Sequence, residues 1–110
     1  MGGEYKVILT PNAALQIIEI TAYIQHKLYN PKAAEDFVKL MNDKIDFIEA
    51  FPYSYPTVDD KPWNKMGLRK FIVKSFLIYY LPIAEKKQIY VTAVISERRN
   101  QIEELKRLVF

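Results

Sequence analysis

The strongest structural signal in the chain is the apolar run Phe76-Leu77-Ile78-Tyr79-Tyr80-Leu81, which contains no charged residue. Such a run predicts a strand that is covered on both faces and therefore lies inside a sheet. We expect this strand to span residues 76–83, with Pro82 near its end, where a missing backbone donor is tolerated.

Two further strands flank this run in sequence. Apolar residues recur with a period of two in residues 68–73 and 88–95. The links are short, consisting of Lys74-Ser75 on one side and residues 84–87 on the other. Short links join antiparallel neighbours, so these segments predict a three-stranded antiparallel meander.

The first half of the chain predicts a strand and two helices. Residues 4–9 alternate as a short strand, and Thr10-Pro11 is a helix-start signal because threonine caps and proline fits the first helical turn. We expect this helix to reach about Leu28, and Asn30-Pro31 starts a second one. The apolar stripe of the first helix is Ala14, Ile17, Ile18, Thr21, Ile24 and Leu28. That of the second is Ala34, Phe37, Val38, Met41, Ile45 and Ile48.

The remaining segments are a loop and a tail. Prolines and aromatic residues between residues 51 and 66 predict an ordered loop rather than a helix. Asn100 begins a variant capping box for a short final helix. The order β-α-α-β-β-β predicts an α+β fold in one domain, residues 1–110. In it, a two-helix hairpin packs on one face of a mainly antiparallel four-stranded sheet, followed by a short C-terminal helix.

Composition excludes several classes of function. The chain has 110 residues, of which 50% are hydrophobic and 26% are charged, as in ordinary globular proteins. It has no cysteine, which rules out disulfides and thiolate chemistry and favours a cytoplasmic location. His26 is the only histidine, so we expect no metal site and no cofactor. No apolar run is long enough to cross a membrane.

Charge is divided unevenly along the chain. Residues 1–60 contain five lysines against nine acidic residues, whereas residues 61–110 contain eleven basic residues against four acidic ones. The excess of positive charge in residues 61–110 therefore predicts an anionic partner, which could be nucleic acid, the ribosome or an acidic protein segment. The alternative is a solvated basic surface that binds nothing.

A candidate working surface follows from strand alternation. Lys70 and Lys74 share one side of the strand 68–74 and would project from the sheet face that the helices leave open, with Arg69 at the border. Tyrosines could stack on a base there, or could simply be part of the core. The predicted nucleic-acid or target-binding residues are Arg69, Lys70, Lys74, Tyr80, Arg98, Arg99 and Asn100.

Several short motifs carry a family resemblance. They are Tyr5-Lys6-Val7-Ile8-Leu9-Thr10-Pro11, then Gly67-Leu68-Arg69, Ser75-Phe76-Leu77-Ile78-Tyr79-Tyr80, Ile89-Tyr90-Val91-Thr92-Ala93-Val94-Ile95 and Arg98-Arg99-Asn100. Together they resemble the RelE/ParE superfamily of bacterial type II toxins. The resemblance implies a toxin that a cognate antitoxin neutralises, with operator DNA bound only through the antitoxin.

The resemblance leaves two activities open. RelE-like members cut messenger RNA on the ribosome without a metal, and ParE-like members poison DNA gyrase. Leu77 stands where RelE-like nucleases commonly carry a catalytic arginine, and no Tyr or His follows Arg99. A gyrase-directed toxin is therefore preferred over a ribosome-dependent endoribonuclease, whose catalytic candidates would be Lys70, Lys74, Arg98 and Arg99. A chain that retains only antitoxin binding is the third possibility.

Overall fold

Four strands form one mixed sheet in the computed structural model of the chain, which describes residues 4–108. They are β1 (Lys6–Leu9), β2 (Arg69–Val73), β3 (Phe76–Ile83) and β4 (Gln88–Ser96), arranged in the order β1-β4-β3-β2. β1 runs parallel to β4, and the other pairs are antiparallel. The predicted α+β class and mainly antiparallel sheet are confirmed, and the predicted strand bounds agree to within two residues.

The first helical segment changes its winding before it ends. α1 (Pro11–Ala22) is capped by Thr10, whose side chain accepts a hydrogen bond from the Ala13 backbone N–H, and it continues into a π-helical turn, Tyr23–Lys27. The expected helix to about Leu28 is therefore continuous, but it is not α-helical throughout.

The predicted buried stripe of α1 is partly wrong. Ile18 is 63% exposed and Leu28 is also exposed, whereas Ala13 is fully buried. Ile17, Ile20 and Ile24 pack beside Ala13 in the core. The small Ala13 side chain lets the helix lie close to β4, and this contact selects the buried face.

The second helix follows its sequence pattern closely. α2 (Pro31–Ala50) begins at Asn30, whose Oδ1 accepts the Ala33 backbone N–H at 3.0 Å. Val38 alone among the predicted stripe is exposed. The other members pack in the main core or are buried: Ala34, Phe37, Met41, Ile45 and Ile48. As predicted, the two helices cover one sheet face.

The loop after α2 contains one unpredicted helical turn. α3 (Trp63–Met66) buries Trp63 and ends at Gly67, whose φ of 89° requires a residue that tolerates the left-handed region. A single turn has no amphipathic repeat, so periodicity could not reveal it.

The second sheet face is covered as well, which corrects the expectation of an open face. α4 (Gln101–Lys106) is capped by Asn100, whose Oδ1 accepts the Glu103 backbone N–H at 3.2 Å. Its buried Leu105 packs with Trp63, Leu68 and other residues of this face in a second core cluster. β3 is therefore covered on both sides, as its apolar run predicts.

Candidate functional site

Three of the predicted cations meet at one end of the sheet. Lys74, Arg98 and Arg99 line a cleft of about 910 Å³ between the helical hairpin and the turns that leave β2 and β4. We call it the cationic cleft. Its apolar lining includes Ile20, Ile24, Phe37 and Phe76. An apolar lining with cations at one side suits an amphipathic, acidic ligand.

Lys74 lies on the helix side of the sheet, contrary to the strand-alternation prediction. It follows the last residue of β2 and adopts a φ of 57°, so the alternation of the strand no longer governs its direction. The pKa of Asp36 in α2 is lowered, first by the hydrogen bond from Lys32 and also by the positive charges of Lys32 and Lys74. Lys74 therefore faces α2.

Lys70 lies outside the cationic cleft. It is exposed, and its Nζ lies 6.0 Å from the centroid of the Tyr79 ring on the opposite sheet face. The structure thus separates Lys70 from the three cations with which the sequence grouped it. Its predicted binding and catalytic roles remain predictions.

Arg69 lies at the sheet border as predicted, but its guanidinium is engaged inside the protein. Nη1 donates to the backbone carbonyls of Tyr53, at 3.4 Å, and of Tyr55. The guanidinium also lies 5.1 Å from the Tyr53 ring centroid, and its Nε is buried without a hydrogen-bond partner among residues 4–108. Through these contacts, Arg69 links β2 to the loop that follows α2.

The two arginines of the cleft differ in their partners. Arg99 Nη1 lies 3.0 Å from Glu104 Oε1, and Arg107 Nη1 lies 3.0 Å from Glu104 Oε2. Arg98 makes no salt bridge with any residue in the described part of the chain. The sequence did not identify Glu104 as a site residue. Its one local sign of ion pairing is the three-residue spacing to Arg107 on the same helix.

The predicted role of Tyr80 in stacking is corrected by its burial. Tyr80 and Tyr79 are both fully enclosed in the core, as in the alternative interpretation of the sequence. Desolvation raises the pKa of each phenol to about 12. The Tyr80 hydroxyl donates to Pro52 O at 3.4 Å, and the Tyr79 hydroxyl donates to Gln101 Oε1 at 2.9 Å. Neither ring is available to a base.

Asn100 has a structural role, because its side chain caps α4.

Leu77 is partly buried and packs against the second core cluster, between Ile72 and Ile95 on the neighbouring strands. Its position therefore contributes no charge to the sheet.

Residues 4–108 contain neither a metal-binding cluster nor a membrane-spanning helix. No three His, Cys, Asp or Glu side chains within residues 4–108 form a group that could hold a metal ion. No helix in the same residues is both long and apolar enough to span a bilayer.

The family to which this α+β domain belongs follows from most of its sequence. Residues 7–101 match the family model described as the ParE toxin of the type II toxin-antitoxin system, parDE. The match covers most of the chain, and the protein belongs to this family.

A solved structure supports the same fold. A chain of the chromosomal ParDE TA system from P. aeruginosa superposes with a TM-score of 0.66 at 14% sequence identity, covering 86% of this chain and 98% of that one. At this identity the likeness concerns the fold alone. No curated protein sequence matches the chain.

Proposed function

We propose that this toxin inhibits growth by acting on DNA gyrase and that a cognate antitoxin neutralises it. The observation that carries the proposal is the ParE family match over residues 7–101. The preference for gyrase over messenger RNA rests on that family and on the side chains near the sheet.

The side chains give little support for RNA cleavage. Leu77 is apolar where RelE-like nucleases commonly carry an arginine, and Ile72 and Ile95 flank it across the sheet. No histidine lines the cationic cleft, and Glu104, one of its two acids, is engaged by two arginines. Histidine is the side chain that most often transfers protons in catalysis, so the described lining of the cleft lacks the usual group for proton transfer to and from a ribose.

The test measures both activities of the same preparation. Purified toxin should inhibit gyrase-catalysed supercoiling of relaxed plasmid, and cells that express it should show no new RNA ends phased with codons. Codon-phased cuts at ribosomal A sites would overturn the gyrase assignment. Normal growth despite abundant folded toxin would instead favour a chain that only binds antitoxin.

A ribosome-dependent endoribonuclease is the second candidate. Lys74, Arg98 and Arg99 share one cleft, and clustered cations can stabilise the charge that develops on a phosphate. If this activity exists, replacing both arginines with alanine in a folded variant should abolish cleavage. Persistent cutting by that variant would exclude the two arginines as its catalytic groups.

The antitoxin proposal concerns the cationic cleft. An acidic antitoxin segment would place apolar side chains against Ile20, Ile24 and Phe76 and carboxylates near Lys74 and Arg98. The antitoxin would supply any contact with operator DNA, and the complex would act in the cytoplasm. A small acidic reading frame beside the toxin gene is the first candidate for this partner.

A further inference from the structure

A cluster of exposed aromatic rings lies at the far end of the molecule from the cationic cleft. Phe47, Phe51 and Tyr53 are 42%, 57% and 49% exposed, and we call them the aromatic patch. Phe47 lies in the last turn of α2, and Phe51 and Tyr53 follow the end of the helix, whereas Ala33 and Phe37 near its N-terminal end line the cleft. Phe37 precedes Phe47 by ten residues, which is about 15 Å along the helix axis, so the two surfaces are separate.

The patch is held rigidly. The rings of Phe47 and Phe51 lie 5.3 Å apart, and Phe47 also contacts the Tyr55 ring at 5.9 Å. Arg69 binds the carbonyls of Tyr53 and Tyr55, so the backbone of this loop is tied to β2. Exposed aromatic groups that are already fixed lose little conformational entropy on binding, which is typical of protein interaction hot spots.

The cations near the patch are already engaged. Lys44 Nζ donates to the Tyr55 hydroxyl at 3.2 Å, and Arg69 is bound as described above. Lys87 lies 5.2 Å from the Tyr5 ring centroid and 3.6 Å from a carboxylate oxygen of Glu4. None of these groups is positioned as a free phosphate ligand.

Acidic groups dominate the exposed side of α2 beside the patch. Asp43 lies one helical turn before Phe47, and Asp46 is adjacent to it in sequence. Both are exposed, and neither forms a salt bridge with a residue in the described range. Their charge disfavours nucleic acid and an acidic antitoxin segment, and it complements a partner rich in lysine and arginine.

We propose that the aromatic patch, flanked by Asp43 and Asp46, is the surface through which the toxin docks on a basic, apolar surface of its protein target. This inference rests on the proposed function, which names that target as gyrase. It assigns the two ends of the molecule to different partners: the acidic, aromatic end to the target and the cationic cleft to the antitoxin.

The experiment compares three full-length variants with the wild type in a gyrase supercoiling assay. F47S/F51S removes two rings of the patch, and D43K/D46K reverses its flanking charge. E35K/E97K is the matched control, because it makes the same change in net charge at two exposed acids outside the patch. Circular dichroism and thermal unfolding confirm that each variant is folded.

We expect the half-inhibitory concentration to rise at least about tenfold for F47S/F51S and for D43K/D46K, and to stay within about twofold for the control. Binding to the product of the adjoining acidic reading frame should be unchanged in both patch variants. If F47S/F51S does not fold, D43K/D46K still tests the inference, because it changes only exposed residues.

Three results would overturn the inference. In the first, a folded patch variant inhibits gyrase as strongly as the wild type. In the second, patch variants lose antitoxin binding while they retain inhibition. In the third, the control loses as much inhibition as D43K/D46K, which would show that the loss comes from the change in net charge and not from the position of the acids. A wild-type toxin without effect on gyrase is distinguishable from these, because it overturns the proposed function and, with it, the target named here.

Discussion

Arg69 holds the loop after α2 against the sheet edge through two backbone carbonyls and one aromatic ring. A hydrogen bond from a charged donor typically contributes about 1.5–3 kcal/mol, and the Tyr55 carbonyl that loses it is left partly buried. The side chain therefore matters to stability more than its position on an edge strand suggests.

The first prediction concerns this residue. Arg69→Met should lower the free energy of unfolding by about 2–4 kcal/mol, because it removes these hydrogen bonds and the contact with the Tyr53 ring. Urea denaturation measures the change. Lys70→Met is the matched control on the same strand, and we expect it to change stability by less than about 0.5 kcal/mol because Lys70 is exposed. Equal losses in the two variants would contradict the role given to Arg69.

The second prediction concerns the buried phenols at high pH. Tyr79 and Tyr80 have a pKa of about 12 in the folded protein, mainly through desolvation, against about 10 in an unfolded chain. Both are almost wholly neutral in either state below about pH 9. Between about pH 10 and 12 the unfolded chain releases these protons first, so stability falls through that interval. Urea denaturation at several pH values measures the fall.

Tyr79→Phe provides the control for the pH effect. The variant lacks one of the two ionisable groups, so its stability should fall less steeply above pH 10 than that of the wild type. Parallel slopes for the two proteins would show that other groups cause the loss.

Helix α1 begins at a threonine that serves two elements. Thr10 accepts the Ala13 N–H, and its Oγ1 lies 3.1 Å from Val91 O in β4, to which it donates. The third prediction is that Thr10→Ala lowers the free energy of unfolding by about 1–2 kcal/mol. Thr21→Ala within the same helix should cost far less, because within residues 4–108 its hydroxyl donates only to Ile18 O, one turn earlier. Thermal unfolding of both variants gives the comparison, and similar losses would contradict it.

Local signals explain why most elements were predictable. The caps at Thr10, Asn30 and Asn100 and the apolar run of β3 act within a few residues of sequence, so their physical meaning survives without knowledge of the fold. The buried face of α1 was less predictable. Apolar residues such as Leu15 and Ile18 extend beyond a single face of the helix, so the contact with β4 selects which of them are buried.

The candidate site was predicted less completely than the fold. Arg98 and Arg99 could be grouped with Lys74 because short links keep their strand ends adjacent. Lys70 and Lys74 were placed on one face because alternation was extended one residue past the end of β2. The bonds of Arg69 and the pairing of Glu104 with Arg99 depend on how distant segments pack, which spacing alone does not encode.

The whole molecule carries its charge asymmetrically. Three cations line the cleft at one end, and Asp43 and Asp46 lie beside the aromatic patch near the other end of α2. A small protein with such a distribution orients approaching charged partners before contact.

The fourth prediction follows for the antitoxin. Its association rate with the toxin should fall as salt rises from about 0.05 to 0.5 M, because screening shortens the reach of exposed charges. The R98A/R99A variant should associate more slowly at low salt and show a weaker dependence on salt. Stopped-flow fluorescence measures both rates. An association rate independent of salt would argue against electrostatic steering.

The pairing of β1 with β4 joins nearly the two extremes of the chain. Lys6 lies opposite Gln88 and Leu9 opposite Val91, so the first strand has no neighbour until the last strand exists. During synthesis, the amino-terminal segment must wait for almost the entire polypeptide to be translated before the sheet can close. A fragment that ends before β4 lacks this pairing, so we expect it not to form the toxin fold and not to harm the cell that makes it.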